Sequence, residues 1–135
     1  MADEQKAHSY TQTHQVSGDV LQFTLSEDDE SLRQQAAASG AGRAAKTLVK
    51  EGPIRLTLIA LRQGSVLDQH VAPGPCTIQA VRGDLRIQVG GETVDLQPGR
   101  LVALNQREPH SVEAIGDGSL LLTVAMPPGV RADNQ

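Results

Sequence analysis

The sequence has very few aromatic side chains. Tyr10 and Phe23 are the only two among 135 residues, and tryptophan does not occur. A hydrophobic core must therefore be built from Val, Leu, Ile and Ala, and the chain lacks the rings on which nucleic-acid bases stack. The formal net charge of −4 also opposes attraction to a phosphate backbone. These features predict a protein that does not bind nucleic acid.

Cysteine is also scarce, because Cys76 is the only one in the chain. A single cysteine cannot form an internal disulfide, which is typical of proteins in a reducing cytoplasm. No apolar run reaches the roughly 18 residues that indicate a transmembrane helix. The polar start of the chain, MADEQKAHSYTQTHQ, also lacks the apolar centre of a signal peptide. We therefore expect a cytoplasmic protein that does not insert into membranes.

The length of 135 residues favours one domain with a substantial core. Four segments are predicted within it: a disordered polar tail at residues 1–15, a strand and a helix at 16–50, a β-barrel at 51–127 and a second tail at 128–135. In the second segment, DVLQFTL at 19–25 has the character of a strand. Ser26 and the acidic residues after it predict the start of a helix, since a hydroxyl caps the N-terminus and acids favour the positive end of the helix dipole.

Short β-rich runs follow one another from Lys46 onward, separated by Gly, Pro and Asp. Many short strands between turn signals indicate an all-β sandwich or barrel. The dipeptide Gly83-Asp84 predicts a tight hairpin that pairs Arg82 with Leu85, and paired residues share one face of a sheet. The apolar alternation after the turn then places four residues on the inner face: Cys76, Ile78, Ala80 and Arg82.

In this interpretation Arg82 lies at the rim of the barrel, where its guanidinium can reach water or an anionic ligand. A hairpin slipped by one residue would instead turn Gln79 inward and Cys76 outward. The same alternation puts His110 on one face with Val112 and Ala114. An extended chain around residue 71 would put His70 and Ala72 on a common face.

Two spaced motifs surround these histidines. In the first, Gly64 is followed by five residues, His70-Val71-Ala72, three residues, Cys76, six residues and Gly83. In the second, Gly99 is followed by five residues, Asn105-Gln106-Arg107, two residues, His110, three residues and Ala114. Residues 84–98 separate the two motifs. With this spacing the chain resembles the small single-domain bacterial cupins.

The resemblance implies the cupin fold, a double-stranded β-helix or jelly-roll barrel, here with a short N-terminal strand and helix added. In metal-binding cupins the ligands are two histidines and a glutamate of the first motif and one histidine of the second. His70 and His110 match two of these positions. Ala72 replaces the second histidine, and Cys76 replaces the glutamate.

The retained residues imply a candidate metal site formed by His70, Cys76 and His110, with the fourth position open. Two imidazoles and one thiolate suit zinc, and Fe, Mn and Ni are further candidates for one divalent ion. No organic cofactor is indicated. Ala72, Ile78 and Arg82 are expected to line a ligand pocket. In the alternative interpretation Cys76 is an ordinary core residue and the histidines are polar walls of a pocket without metal.

The resemblance leaves two functions open. One is a divalent-metal-dependent enzyme, of oxygenase or isomerase type, that acts on a small organic molecule. The other is a non-catalytic, metal-free module that binds or senses a small molecule, and a plain interaction scaffold is a third, blander possibility. A homodimer is also expected, because continuous apolar runs such as LTLIAL and SLLLTVAM fit strands covered on both faces, which a second subunit or strand exchange could supply.

Overall fold

A computed structural model describes residues 20–127 of the chain. Within this range one helix, α1 (Leu25–Ala38), precedes nine strands. The strands are β1 (Arg43–Glu51), β2 (Ile54–Leu61), β3 (Val66–His70), β4 (Cys76–Arg82), β5 (Leu85–Val89), β6 (Glu92–Leu96), β7 (Leu101–Leu104), β8 (His110–Ala114) and β9 (Gly118–Ala125). The tails predicted at 1–15 and 128–135 lie outside the described residues. Between residues 20 and 127, α1 lacks the length and apolar character needed to span a bilayer.

The strands form two antiparallel sheets. The larger sheet has the order β1-β2-β9-β4-β7, and the smaller has the order β3-β8-β5-β6. The chain crosses from one sheet to the other after β2, β3, β4, β6, β7 and β8, as in a jelly roll. This architecture confirms the predicted all-β jelly-roll fold with one helix added before it.

The predicted hairpin between β4 and β5 is wrong. β4 pairs with β7 and β9, whereas β5 pairs with β6 and β8. The connection at Gly83 carries the chain between the two sheets and passes close to the start of β9. Gly83 has a φ of 74°, and a Cβ there would lie 2.9 Å from the Cα of Gly118, so only glycine fits without strain.

The predicted inner face of β4 is nevertheless confirmed for Cys76, Ile78 and Ala80, though not for Arg82. A chain that crosses between facing sheets keeps the same side towards the core. The inner cluster, which lies between the two sheets, contains thirteen buried residues: Leu61, Cys76, Ile78, Ala80, Leu85, Ile87, Leu96, Leu104, Val112, Ala114, Leu120, Val124 and Met126. Cys76 is therefore inward, and the alternative slipped register that would turn it outward is wrong. The cluster contains no aromatic ring, as the composition required.

The N-terminal part of the chain differs from the predicted strand and helix. Residues 20–24 form no strand, and Leu25 is already helical, so the strand predicted over 19–25 is absent from its described part. Thr24 occupies the N-cap position, and its carbonyl oxygen accepts hydrogen bonds from the backbone N–H groups of Glu27 and Asp28. The helix consequently begins two residues earlier than a cap at Ser26 predicts.

Helix α1 packs on the outer face of the larger sheet. Its buried Leu32 and Ala36 contact an outer cluster that also contains Leu48, Val49, Leu58 and Ala60. Leu121 of β9 packs against the same cluster. Strands β2 and β9 are thus covered by the facing sheet on one side and by α1 on the other. The continuous apolar runs that favoured a homodimer are accounted for within a single chain.

Candidate functional site

The two motif histidines lie at the same end of the smaller sheet. β3 ends at His70, β8 begins at His110, and the two residues are paired across the strands. One loop connects His70 to Cys76, where β4 of the larger sheet begins. A second loop connects Leu104, where β7 of the larger sheet ends, to His110. We call the end of the sandwich formed by His70, Cys76, Leu104 and His110 the histidine end. The side chain of His70 lies outside what the structure describes.

His110 is fixed in one orientation by its own loop. Its ring is buried, with 2 % exposure, and Nδ1 lies 3.0 Å from the backbone carbonyl oxygen of Glu108. A carbonyl oxygen only accepts, so Nδ1 must carry the proton and donate it. In the neutral ring the lone pair is then on Nε2. A metal-binding histidine is typically held in this way by a hydrogen bond from its other nitrogen.

Cys76 begins β4 on the inner face, opposite Leu104 on one side and Val124 on the other. The residue is 5 % exposed and is part of the inner cluster. Burial raises the pKa of the Cys76 thiol. The thiol therefore stays protonated at neutral pH, and only a cation beside it would favour the thiolate.

The Pro-Gly-Pro corner between His70 and Cys76 is packed against the end of β9. The backbone N–H of Ala125 donates a hydrogen bond of 3.0 Å to the carbonyl oxygen of Pro75. A Cβ at Gly74 would overlap the carbonyl oxygen of Ala125. Glycine at this position lets the connection lie against β9 and thereby fixes where β4 begins.

The three residues predicted to line a ligand pocket are in different environments. Ile78 is 1 % exposed within the inner cluster, and Ala72 packs against that cluster while partly buried. The placement of Arg82 at a ligand-accessible rim is wrong. Its Nε and Nη2 donate hydrogen bonds of 2.7 and 3.1 Å to the carboxylate of Asp29 on α1. The register of β4 changes between Ala80 and Arg82, which breaks the alternation used to orient it.

Sequence reasoning missed two cations that lie towards the histidine end. Arg55 on β2 is paired with Val124, and Lys50 on β1 is paired with Arg55. Both side chains are half-buried. The sequence does not reveal the orientation of Arg55, because IRLTLIAL is apolar on both faces. Alternation alone therefore does not show which face carries this residue.

Among the side chains that the structure describes, no three His, Cys, Asp or Glu residues are grouped as they would be around a metal ion. His70 is not among those side chains. The predicted set of His70, Cys76 and His110 consequently stays a prediction. Two members of this set, Cys76 and His110, lie on inner faces at one end of the sandwich. The tautomer of His110 is suitable for binding a metal ion.

The two-sheet jelly roll and its motif histidines define a small cupin domain, which confirms the resemblance found in the sequence. Residues 53–135 match the family model of the AraC-like ligand binding domain. The chain belongs to this family. No curated protein matches the chain in sequence.

Solved structures with this fold include proteins of several kinds. The KdgF protein from Halomonas sp. is 17 % identical with a TM-score of 0.61, over 72 % of this chain and 88 % of that one. A cupin superfamily protein from Desulfitobacterium hafniense is 14 % identical with a TM-score of 0.61, over 63 % and 78 %. A mutant salicylate 1,2-dioxygenase from Pseudoaminobacter salicylatoxidans is 19 % identical with a TM-score of 0.68, over 76 % of this chain but 34 % of that one. At these identities the likeness shows the fold alone.

Proposed function

We propose that this cupin domain binds one divalent metal ion at the histidine end and is a metal-dependent enzyme for a small organic molecule. The observation that carries the proposal is the state of His110. Its Nδ1–H is bound to the carbonyl of Glu108, which leaves the lone pair on Nε2, and its partner across the strands is His70. A buried histidine held in this tautomer, opposite a second histidine, fits a metal site better than a histidine that only fills the core.

The available donors fit a divalent ion. We propose His70 and His110 as imidazole ligands and Cys76 as a third, thiolate ligand. Two nitrogens and one sulfur favour zinc, and Fe, Mn or Ni are alternatives with the same histidines. A bound ion would supply Lewis acidity and an open position for the substrate. The chain itself would hold His110 by the Glu108 carbonyl, while Ile78 and Ala72 exclude water beside the site.

For the reaction we propose the oxygenase or isomerase type. The support is at the level of the fold, since a dioxygenase and KdgF share this architecture at low identity. The substrate would enter between the sheets at the histidine end. No organic cofactor is part of the proposal.

A metal-free module that binds or senses a small molecule is the second candidate. The environment of Cys76 favours it, because the thiol is packed among Leu104, Val124 and other apolar side chains and its pKa is raised by burial. The name of the family also refers to ligand binding rather than catalysis. Under this alternative the histidines are polar walls of the pocket.

Metal content distinguishes the two candidates. The protein would be purified without a histidine tag and its metals measured by elemental analysis, for the wild type, His110→Ala and Cys76→Ala. Ser111→Ala is the matched control, because Ser111 is adjacent on β8 but points to the opposite face. We expect close to one metal per chain in the wild type and in Ser111→Ala, and its loss in His110→Ala. Loss in Cys76→Ala would identify the thiolate as a ligand.

An absence of metal after loading with Fe(II), Zn(II), Mn(II) and Ni(II) would contradict the enzyme proposal. Equal metal content in the wild type and His110→Ala would also contradict it, because the ion would then be bound elsewhere. Either result would favour the metal-free module.

We further propose that the protein is cytoplasmic and forms a homodimer. The support for the cytoplasm is the single cysteine, Cys76, which is free and buried. The support for a dimer is Leu101 on β7, an apolar side chain with 55 % exposure at the edge of the larger sheet.

A further inference from the structure

Arg55 faces the space between the two sheets. Side chains alternate along β2, and Leu58 and Ala60 belong to the outer cluster under α1, whereas Ile59 and Leu61 pack with the inner cluster. Arg55 has the same parity as Ile59 and Leu61. Its partner across the strands, Val124, is itself part of the inner cluster, which gives the same orientation independently.

Lys50 lies beside Arg55 on the same face because of an irregularity in β1. Before it, Lys46 points outward, where its Nζ is 2.9 Å from Asp28 of α1. The register shifts between Thr47 and Val49, and Val49 then packs in the outer cluster. Lys50 is the next residue and is paired with Arg55. The irregularity thus turns a second cation towards the inner face.

These two cations are in line with the candidate site. Across the larger sheet, one row of paired residues runs from Lys50 through Arg55 and Val124 to Cys76. Cys76 is a member of the histidine end. Arg55 and Lys50 are half-buried, and the Nε of Arg55 is fully buried. A charge in such a place is weakly screened, so it attracts an opposite charge more strongly than a surface residue does.

We propose that Arg55, assisted by Lys50, binds the carboxylate of a small organic acid that is the ligand of this site. A guanidinium presents two parallel N–H donors that match the two oxygens of a carboxylate, whereas an ammonium acts as a point charge beside it. The inference rests on the proposed function for the location of the site, and it adds the chemical class of the ligand.

The neighbours of Arg55 indicate the rest of the ligand. Val124 separates Arg55 from Cys76 in the row, and Ile78 follows on the inner face of β4. These apolar side chains would contact hydrocarbon. An acid with a compact aromatic or aliphatic body fits both surroundings, since its carboxylate meets the cations and its body meets the aliphatic wall.

The test compares two probes that share the same aromatic ring and differ in charge. Benzoate and benzyl alcohol would be titrated into the purified protein and binding followed by NMR chemical shifts of the backbone amides. We expect benzoate to bind more tightly than benzyl alcohol. Arg55→Gln should weaken the affinity for benzoate about ten- to a hundredfold, because charge-assisted hydrogen bonds are lost. It should leave the affinity for benzyl alcohol unchanged.

Three further variants sharpen this test. Arg86→Gln is the control, because Arg86 is an arginine on the outer face of the smaller sheet, bound to Asp95. It should not change benzoate affinity. Lys50→Gln should weaken benzoate less than Arg55→Gln does. Arg55→Lys retains the charge but not the planar guanidinium, so it should bind benzoate with an intermediate affinity. It also tests the role of Arg55 if Arg55→Gln does not fold.

The proposal is overturned if acetate and benzoate both fail to bind at millimolar concentrations, or if Arg55→Gln and the wild type bind benzoate equally. Tighter binding of inorganic phosphate than of benzoate would overturn the carboxylate assignment. Metal content is measured separately on the same samples. A metal-free protein whose benzoate binding needs Arg55 contradicts the metal enzyme but supports this inference, and a metal-bound protein indifferent to benzoate does the opposite.

Discussion

Cys76 lies between the apolar core and the candidate metal site. On one side it is an apolar core residue beside Leu104 and Val124, and on the other it belongs to the end of the sandwich that holds His70 and His110. Burial without a cation raises the pKa of its thiol, whereas a bound metal would lower that pKa. The protonation state of this one residue therefore reports which of the two roles it has.

The metal-free protein should lose stability at alkaline pH because of Cys76. Its folded-state pKa is raised, so its contribution is fully present below the ordinary thiol pKa of about 8.5 and is lost as pH rises through the higher folded value. The measurement is urea unfolding between neutral and alkaline pH, with a chelator present, for the wild type and Cys76→Ala. The free energy of unfolding should fall more steeply for the wild type above that pH.

Parallel pH curves for the two proteins would contradict this prediction. Because other groups titrate equally in both proteins, only the difference between the curves is attributed to Cys76. Added zinc should remove the extra slope if the thiolate is a ligand, since the metal then stabilises the ionised form.

At the scale of the element, α1 is attached to the sandwich as much by charge as by apolar contact. Only Leu32 and Ala36 are its buried apolar residues, whereas two successive acids, Asp28 and Asp29, form ion pairs with strands β1 and β4. The acidic run predicts a helix start from the sequence. Its second role, holding the helix on the sheet, follows from partners that are distant in the chain.

Replacing Asp29 should destabilise the protein substantially. In Asp29→Asn the guanidinium of Arg82 would lose a carboxylate partner in a site where the Asp29 side chain is 8 % exposed and that of Arg82 is 29 % exposed. Breaking a fully buried pair costs about 3–5 kcal/mol, and the partial exposure of Arg82 lowers our expectation to about 2–3 kcal/mol. Urea unfolding followed by circular dichroism measures the change.

Glu30→Gln is the matched control for that helix prediction. Glu30 is adjacent to Asp29, but its partner, Arg33, is on the same helix and both are exposed. Its replacement should leave the free energy of unfolding nearly unchanged. If the two variants were equally stable, the ion pair with Arg82 would not be what holds α1 in place.

The whole molecule covers its most apolar strands without a second subunit. β2 and β9 lie between the smaller sheet and α1, so the apolar runs no longer require a dimer. One apolar side chain that remains exposed is Leu101 on β7, the edge strand of the larger sheet, with 55 % exposure. An edge strand with an exposed apolar residue is a natural place for two copies to meet.

Light scattering after gel filtration tests the homodimer. We expect twice the mass of the chain for the wild type and a shift towards the monomer for Leu101→Glu, because two buried glutamates would face each other across a two-fold axis. Val66→Glu, on the smaller sheet, is the control and should remain a dimer. A monomer mass for the wild type at every concentration would rule the homodimer out.

The sequence by itself determined the architecture and the inward faces of the regular strand segments. Alternation with a period of two, interrupted by glycine and proline, is a local property. It correctly placed Cys76 and Ile78 towards the core, and it put His110 on one face with Val112 and Ala114. The motif spacing likewise indicated the cupin family. These features are readable because each depends on residues close together in the chain.

Only the tertiary structure decided how distant segments meet. β4 pairs with β7 and β9 rather than with the next strand, and the register irregularity before Arg82 directs that residue to Asp29. The inward position of Arg55 was hidden because β2 is apolar on both faces, one under α1 and one in the core. Strand order, irregularities and helix docking depend on contacts between segments far apart in sequence, and no local pattern encodes them.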